Sequence, residues 1–295
     1  MSKYDFMKQV EEQLKDFPEL AGACIESKVS IHNNDTERYG ITIRSGMEDI
    51  SPIIYVDRFY EDYRKKKKTV EETADEILHL NKSVRSGRTG YDTDALRFDQ
   101  CRDRILFRLI SAERNSRYLE HIPHIGFLNL AIIFTVAWNI SESGVESVRV
   151  TDEMLDCWGV SVKDLAKLAK ENTPRLLSPR CETMIQVMMR FMGKEWCDED
   201  MDFPMLLLSN EYNVYGATSI LYEETMDRIG EELGEDFYII PSSIHEVLIL
   251  PEQYVDDVSD LDSMIRQINR EHVVLEDVLS DRAYFYSRKE KRFYF

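Results

Sequence analysis

The twelve residues from Phe127 to Trp138, FLNLAIIFTVAW, carry no charge, and their only polar side chains are Asn129 and Thr135. A membrane-spanning helix needs about 20 apolar residues. A shorter run of this kind must be covered on both sides within a folded core, as a buried strand or core segment. Hydrophobic residues make up 43% of the 295-residue chain and charged residues 31%, enough to build such a core and to solvate its surface. Wholesale disorder is therefore excluded.

Charge sets the next constraint. The net charge is −18, which disfavours general binding to nucleic acid or anionic membrane. The excess is regional. From Glu195 to Asp281 there are 23 acidic residues against Arg228, Arg266 and Arg270, a net of −20, so the rest of the chain carries +2. The five cysteines are scattered and odd in number, without a CxxC pair, which argues against a disulfide framework or zinc site. The N-terminus is polar, with no apolar signal segment. A reduced, cytoplasmic setting is expected.

Periodicity orders the elements. Phe6, Val10, Leu14 and Phe17 predict a helix over 3–16. The runs 23–32 and 38–44 flank Asn33-Asn34-Asp35 and predict a β-hairpin. A strand at 53–56 and a helix at 57–64 follow. Thr69 with Glu72 forms a capping box for another helix. The polar stretch 83–93 is the candidate linker between a small N-terminal α/β module (1–82) and a larger α+β module (94–295).

Within the larger module the pattern predicts helices at 94–103, 151–158, 161–171, 181–192, 223–233 and 260–270, with a turn of helix at 275–280. Strands are predicted at 105–110, 128–138, 147–150, 205–210, 217–222, 237–240, 247–250, 284–286 and 293–295. Strands and helices mix without a βαβ cadence, which gives α+β with mixed or antiparallel sheets and helices packed on them.

The segments YGITIR (39–44), SPIIYVDRFYEDY (51–63), NVYGATSILYEETMDRIGEELGEDFYIIPSSIHEVLILP (213–251) and VLSDRAYFYSR (278–288) together resemble a domain-of-unknown-function family of gut Firmicutes (clostridial) proteins. The resemblance spans nearly the whole chain and implies bacterial origin and one shared architecture. The segments 127–172 and 216–251 are similar to a second uncharacterised bacterial family, which has a helix, Trp-Gly, helix-ending-in-Asn element like TDEMLDCWGVSVKDLAKLAKEN (151–172). Neither family carries an established activity, so the resemblance implies no catalytic residue.

Chemistry-bearing clusters are few. Ser242, Ser243, His245 and Glu246 gather hydroxyls, an imidazole and a carboxylate, the residue types of nucleophilic catalysis, although turn chemistry needs the same residues. His121 and His124 are candidate metal ligands, but Pro123 opposes the helix that would align them. Asp198, Asp200 and Asp202 start like a calcium loop, which Phe203 and Ser209 then spoil at the glycine and glutamate positions. No glycine-rich phosphate loop occurs. The helices at 151–171 have a helix-turn-helix outline, with Lys163, Lys167 and Lys170 on one face. The run Arg64, Lys65, Lys66, Lys67, Lys68 could dock an acidic partner, or the 195–281 region of another copy.

These features point first to a non-catalytic protein-binding or regulatory module with no cofactor. The alternatives are a hydrolase-like enzyme using Ser242, Ser243 and His245, and a DNA-contacting regulator using 161–171. A protein partner is expected, nucleic acid and membrane are not, and a homo-oligomer is compatible with the split charge.

Overall fold

A computed structural model describes residues 1–44, 52–86, 93–141, 144–192 and 204–295. Most of the candidate linker and the 198–202 acidic loop lie outside them. The chain forms two units, one of residues 1–32 with 36–97 and one of residues 33–35 with 98–295. The architecture is α+β, and every strand pairing is antiparallel among the described residues.

The first unit holds α1 (Lys3–Lys15), the hairpin β1 (Cys24–Ile31) and β2 (Glu37–Arg44), β3 (Ile53–Tyr55), α2 (Asp57–Arg64) and α3 (Val70–Ser86). Ser2 caps α1 through a capping box with Asp5, and Thr69 and Glu72 exchange bonds at the start of α3. The apolar stripe of α1 (Phe6, Met7, Val10, Leu14) packs with Ile41 and Ile43 of the hairpin and with Ala74 and Ile77 of α3.

Glu11 lies on the buried side of α1. It accepts hydrogen bonds from Lys15 Nζ at 2.8 Å, Lys8 Nζ at 2.9 Å and the Ser27 N–H at 3.1 Å. Burial alone would raise its pKa. The three donors outweigh burial and bring it from 4.5 to about 2.

The second unit begins with α4 (Phe98–Cys101) and a four-stranded sheet of β4 (Ile105–Ser111), β5 (His124–Phe127), β6 (Leu130–Ser141) and β7 (Gly144–Arg149). Then come α5 (Asp152–Trp158) and α6 (Val162–Leu176). A six-stranded sheet is built from β8 (Pro179–Thr183), β9 (Leu206–Asn210), β10 (Phe237–Pro241), β11 (Val247–Pro251), β12 (Tyr284–Ser287) and β13 (Arg292–Tyr294), in the order β13-β12-β10-β11-β9-β8. Helices α7 (Met184–Met192), α8 (Glu223–Leu233) and α9 (Val258–Glu271) complete it.

Residues 33–35, within the turn between β1 and β2, belong to this second unit. Asn34, buried with φ 59°, donates from Nδ2 to the carbonyls of Leu275 (2.6 Å) and Val278 (2.7 Å). Its N–H donates to Asn115 Oδ1 at 2.7 Å, and Asn115 Nδ2 returns a bond to Asn34 Oδ1 at 3.1 Å. Asn tolerates the left-handed conformation better than most residues, so the turn and these hydrogen bonds use the same side chain.

Strand β6 is paired on both edges, with β4 on one and with β5 and then β7 on the other. That leaves β4 as a sheet edge, and two threonines close it. The Phe107 N–H donates to Thr173 Oγ1 at 2.9 Å, and the Leu109 N–H to Thr218 Oγ1 at 3.2 Å. Asn172 Nδ2 adds bonds to the carbonyls of Arg102 and Ile105. An exposed edge would template further pairing; here α6 and the 216–221 segment cover it.

Four sequence expectations are corrected. The strand expected over 128–138 is β6, which begins two residues later and runs on to Ser141, because Leu128 turns with φ 55° where β5 ends at Phe127. Where a strand is expected over 217–222, Gly216–Leu221 form a 3-10 helix, in which Thr218 Oγ1 accepts from the Leu109 N–H of β4 and Ser219 Oγ donates to the Ser209 carbonyl at 3.0 Å. Cys181 lies in strand β8, and its helix starts only at Met184. The 94–103 helix is broken into short turns. Helix α6 also continues past 171 through Pro174, with the Leu177 N–H bonded to the Thr173 carbonyl at 2.8 Å.

The depressed pKa of Glu11 gives a pH prediction. A folded value near 2 against an unfolded one near 4.5 means that the stabilisation is complete above pH 4.5 and is lost as pH falls toward 2. Glu11→Gln should cost about 1–3 kcal/mol in urea denaturation near neutrality. That difference from wild type should shrink steadily below about pH 4.5; a difference independent of pH would contradict this role.

Candidate functional site

The loop between β10 and β11 holds the serine-histidine candidates. Ser242 Oγ donates to Glu246 Oε1 at 3.4 Å, and Ser243 Oγ accepts the His245 backbone N–H at 3.0 Å. The imidazole lies elsewhere: its Nδ1 accepts the Tyr215 N–H at 3.1 Å, and its Nε2 is 3.5 Å from Asp277 Oδ1. An acceptor at Nδ1 places the proton of the neutral ring on Nε2, facing the carboxylate. His245 is thus joined to Tyr215 and Asp277, and each serine hydroxyl is joined to its own turn.

This loop is closely packed. A Cβ on Gly216 would come within 2.2 Å of Ser209 Oγ, 2.5 Å of the His245 carbonyl and 2.7 Å of the Asn210 nitrogen. Only glycine permits that approach. Ser209 Oγ donates to the same His245 carbonyl at 2.8 Å.

From His245 the contacts lead to the four-stranded sheet. The Tyr215 ring lies 5.5 Å from the imidazole, and the Arg108 guanidinium carbon lies 3.6 Å from the Tyr215 centroid. Arg108, on β4, reaches across β6 and donates to Ser147 Oγ on β7. Burial pushes its guanidinium below the ordinary value, opposed by the nearby phenols of Tyr215 and Tyr118. Arg149, two residues after Ser147, stacks on Tyr118 at 4.6 Å.

The register puts these groups on one face. Arg108 pairs with Ile133, and Thr135, two residues further, pairs with Arg149. Apolar clusters lie on either side, with Ile110, Ile122, Ala131 and Ile133 at one end and Leu106, Ala137 and Leu177 at the other. Sequence reasoning passed over both arginines. The available signal was a lone arginine inside an apolar strand run, ILFRLIS, and another in ESVRV.

The opposite face of the same strands carries Phe107 and Ile132. They line a cavity of about 480 Å³ with Phe127, Met226 and Phe293. Ion pairs lie at its border, Lys170 with Glu223 at 2.7 Å and Lys291 with Asp227. Of the lysine face proposed for DNA, Lys170 is committed to Glu223, while Lys163 and Lys167 are exposed. The inner face of that helix is spent on β4.

His121 is exposed, and His124 Nδ1 bonds the Ile122 carbonyl at 2.8 Å. No group of three or more His, Cys, Asp or Glu suited to a metal occurs among the described residues. Burial raises the Cys181 thiol to about 11 and that of Cys101 above its usual range, so neither is a ready thiolate.

In the basic run, Lys65, Lys67 and Lys68 face Glu61 at 4.0 Å, Asp62 at 3.8 Å and Glu76. Arg64 and Lys66 line an open hollow with Thr69 and Glu72. No helix among the described residues is long and apolar enough to cross a membrane.

Fold and site define an α+β protein whose most concentrated buried chemistry is a cationic and aromatic patch on a sheet face. Residues 3–288 match the family of unknown function DUF5688, and the chain belongs to that family. No curated protein and no solved structure matches the chain.

The bonding around His245 makes a chemical prediction. A fluorophosphonate probe, which reports hydroxyls activated by a base, should leave Ser242 and Ser243 unlabelled in intact-mass and peptide analysis. Stoichiometric labelling of either would restore the hydrolase alternative.

Proposed function

We propose that this chain is a non-catalytic, cytosolic protein-binding or regulatory module, and that α9 with the segment after it supplies the binding face. The observation that carries this reading is an apolar strip left uncovered in the most acidic part of the chain. Helix α9 buries Ile265 and Asn269 and leaves Met264 and Ile268 about two-fifths exposed. Val274 (67%) and Leu275 (54%) extend the strip.

Asp256, Asp260, Glu271 and Glu276 are interleaved with these apolar residues in sequence. An apolar centre with a charged rim is the composition of a transient protein interface. Its complement is a basic amphipathic segment of a partner protein. The described cysteines are all free, in keeping with a reducing compartment.

The test compares the full chain with the Met264→Asp/Ile268→Asp variant as bait in cell extract, followed by affinity measurement on the recovered protein. Burying one such side chain contributes about 1.5–3 kcal/mol. The double variant should therefore lose about 100-fold or more in affinity for a partner that wild type captures. Equal capture by both baits, or none by either, would refute the reading. Light scattering over a range of salt concentrations checks whether the partner is a second copy presenting Arg64–Lys68.

A further inference from the structure

Arg108 and Arg149 place two guanidinium groups on one face of the four-stranded sheet, and no carboxylate among the described residues forms an ion pair with either. Uncompensated charge at a half-buried position is costly. Each guanidinium instead has an aromatic ring against it, Tyr215 at 3.6 Å from Arg108 and Tyr118 at 4.6 Å from Arg149. Stacking fixes each guanidinium plane; Arg108 spends one N–H on Ser147 Oγ, while Arg149 Nε is buried without a hydrogen-bond partner among the described residues, and a guanidinium N–H edge is the part that grips an oxyanion.

The register brings the two side chains toward each other. Arg108 starts on β4, yet its guanidinium ends at Ser147 on β7. Ser147 and Arg149 are two residues apart on the same strand face, a separation of about 7 Å. Two further polar atoms there are buried and unsatisfied: Thr135 Oγ1, on a residue only 1% exposed, and Arg149 Nε. Thr135 is the direct cross-strand partner of Arg149. His124 stands one place along, on the same edge of β6 and the same face, opposite Ile133. Its Nδ1 is engaged by the Ile122 carbonyl, which leaves Nε2 as the outward nitrogen.

We propose that Arg108, Arg149 and Thr135 form a binding site for a phosphate dianion, with Tyr118 and Tyr215 as the stacking walls that hold the two guanidinium forks. Two positive charges match two negative ones, and the tetrahedral oxygens supply acceptors for two forks and a hydroxyl at once. A single carboxylate has neither the charge nor the number of acceptors. The chain's overall −18 repels anions at long range, so affinity here comes from the local forks and depends on their geometry.

The shared chemistry is a phosphoryl group, carried either as inorganic phosphate or as the monoester of a small molecule. Calorimetry and thermal unfolding of the full chain in a phosphate-free buffer distinguish these, with inorganic phosphate and phenyl phosphate as the probes. Wild type should bind at least one of them with sub-millimolar affinity and gain melting temperature in proportion to the logarithm of ligand concentration.

Tighter binding of phenyl phosphate would assign an esterified ligand, and equal or weaker binding would assign the inorganic ion. Arg149→Gln, whose circular dichroism first confirms folding, should weaken binding by about tenfold or more. Arg149→Lys keeps the charge without the fork and should also bind more weakly than wild type, and it serves if the glutamine variant fails to fold. No response of wild type to either probe at about 10 mM, well above the predicted range, would overturn the proposal. So would an undiminished response in the folded Arg149 variant.

Discussion

The pairing of β6 on both of its edges is the constraint from which the rest of the larger unit follows. Seven consecutive registered pairs with β4 fix which residues of both strands face each way. A shift of one residue would exchange every side chain between the two faces. In the observed register Phe107, Leu109 and Ile132 face one way, and Arg108, Ile133 and Thr135 the other. The first face lines the aromatic cavity; the second carries the guanidinium pair. Because β4 is an edge, the arrangement also depends on two hydroxyls, Thr173 and Thr218, which take the place of a further strand.

What the sequence made legible was local. The capping residues Ser2, Thr69, Thr151 and Ser161 act through bonds three residues away, and Thr69 with Glu72 starts its helix as the capping-box pattern predicts. Gly159 ends α5 in the left-handed conformation because no other residue reaches it so cheaply. Alternation in the first hairpin gave both its strands.

What was missed depends on distant partners. ATSILY has strand composition, but its Thr218 and Ser219 hydroxyls bond β4 and β9 and its Ala217 N–H bonds the Ile244 carbonyl, contacts that no short pattern contains. The break at Leu128 is set by how β5 folds back onto β6, and apolar composition runs through it unmarked. The same limit governs the sites. Adjacent residues such as Ser243 and His245 suggest a reactive pair, yet geometry sends the ring to Tyr215 and Asp277. Arg108 and Arg149, 41 positions apart, become neighbours only through the strand order.

The uneven charge acquires a structural meaning from this placement. The acid-rich stretch supplies α8, α9 and three of the six strands, β9, β10 and β11, with the exposed apolar strip of α9 in the same stretch. The four-stranded sheet, by contrast, holds Arg108 and Arg149, which form no ion pair with a carboxylate among the described residues.

The central claim is that the polar face of β6 is a prepared anion site and more than a stacked, structural pair of arginines. It is tested most directly by following the arginine Nε–Hε resonances of the full chain while inorganic phosphate is added. The account predicts that the signals of Arg108 and Arg149 move together and saturate, while the other arginines stay in place. Shifts confined to other arginines, such as Arg64 beside the basic run, with Arg108 and Arg149 unmoved, would contradict it.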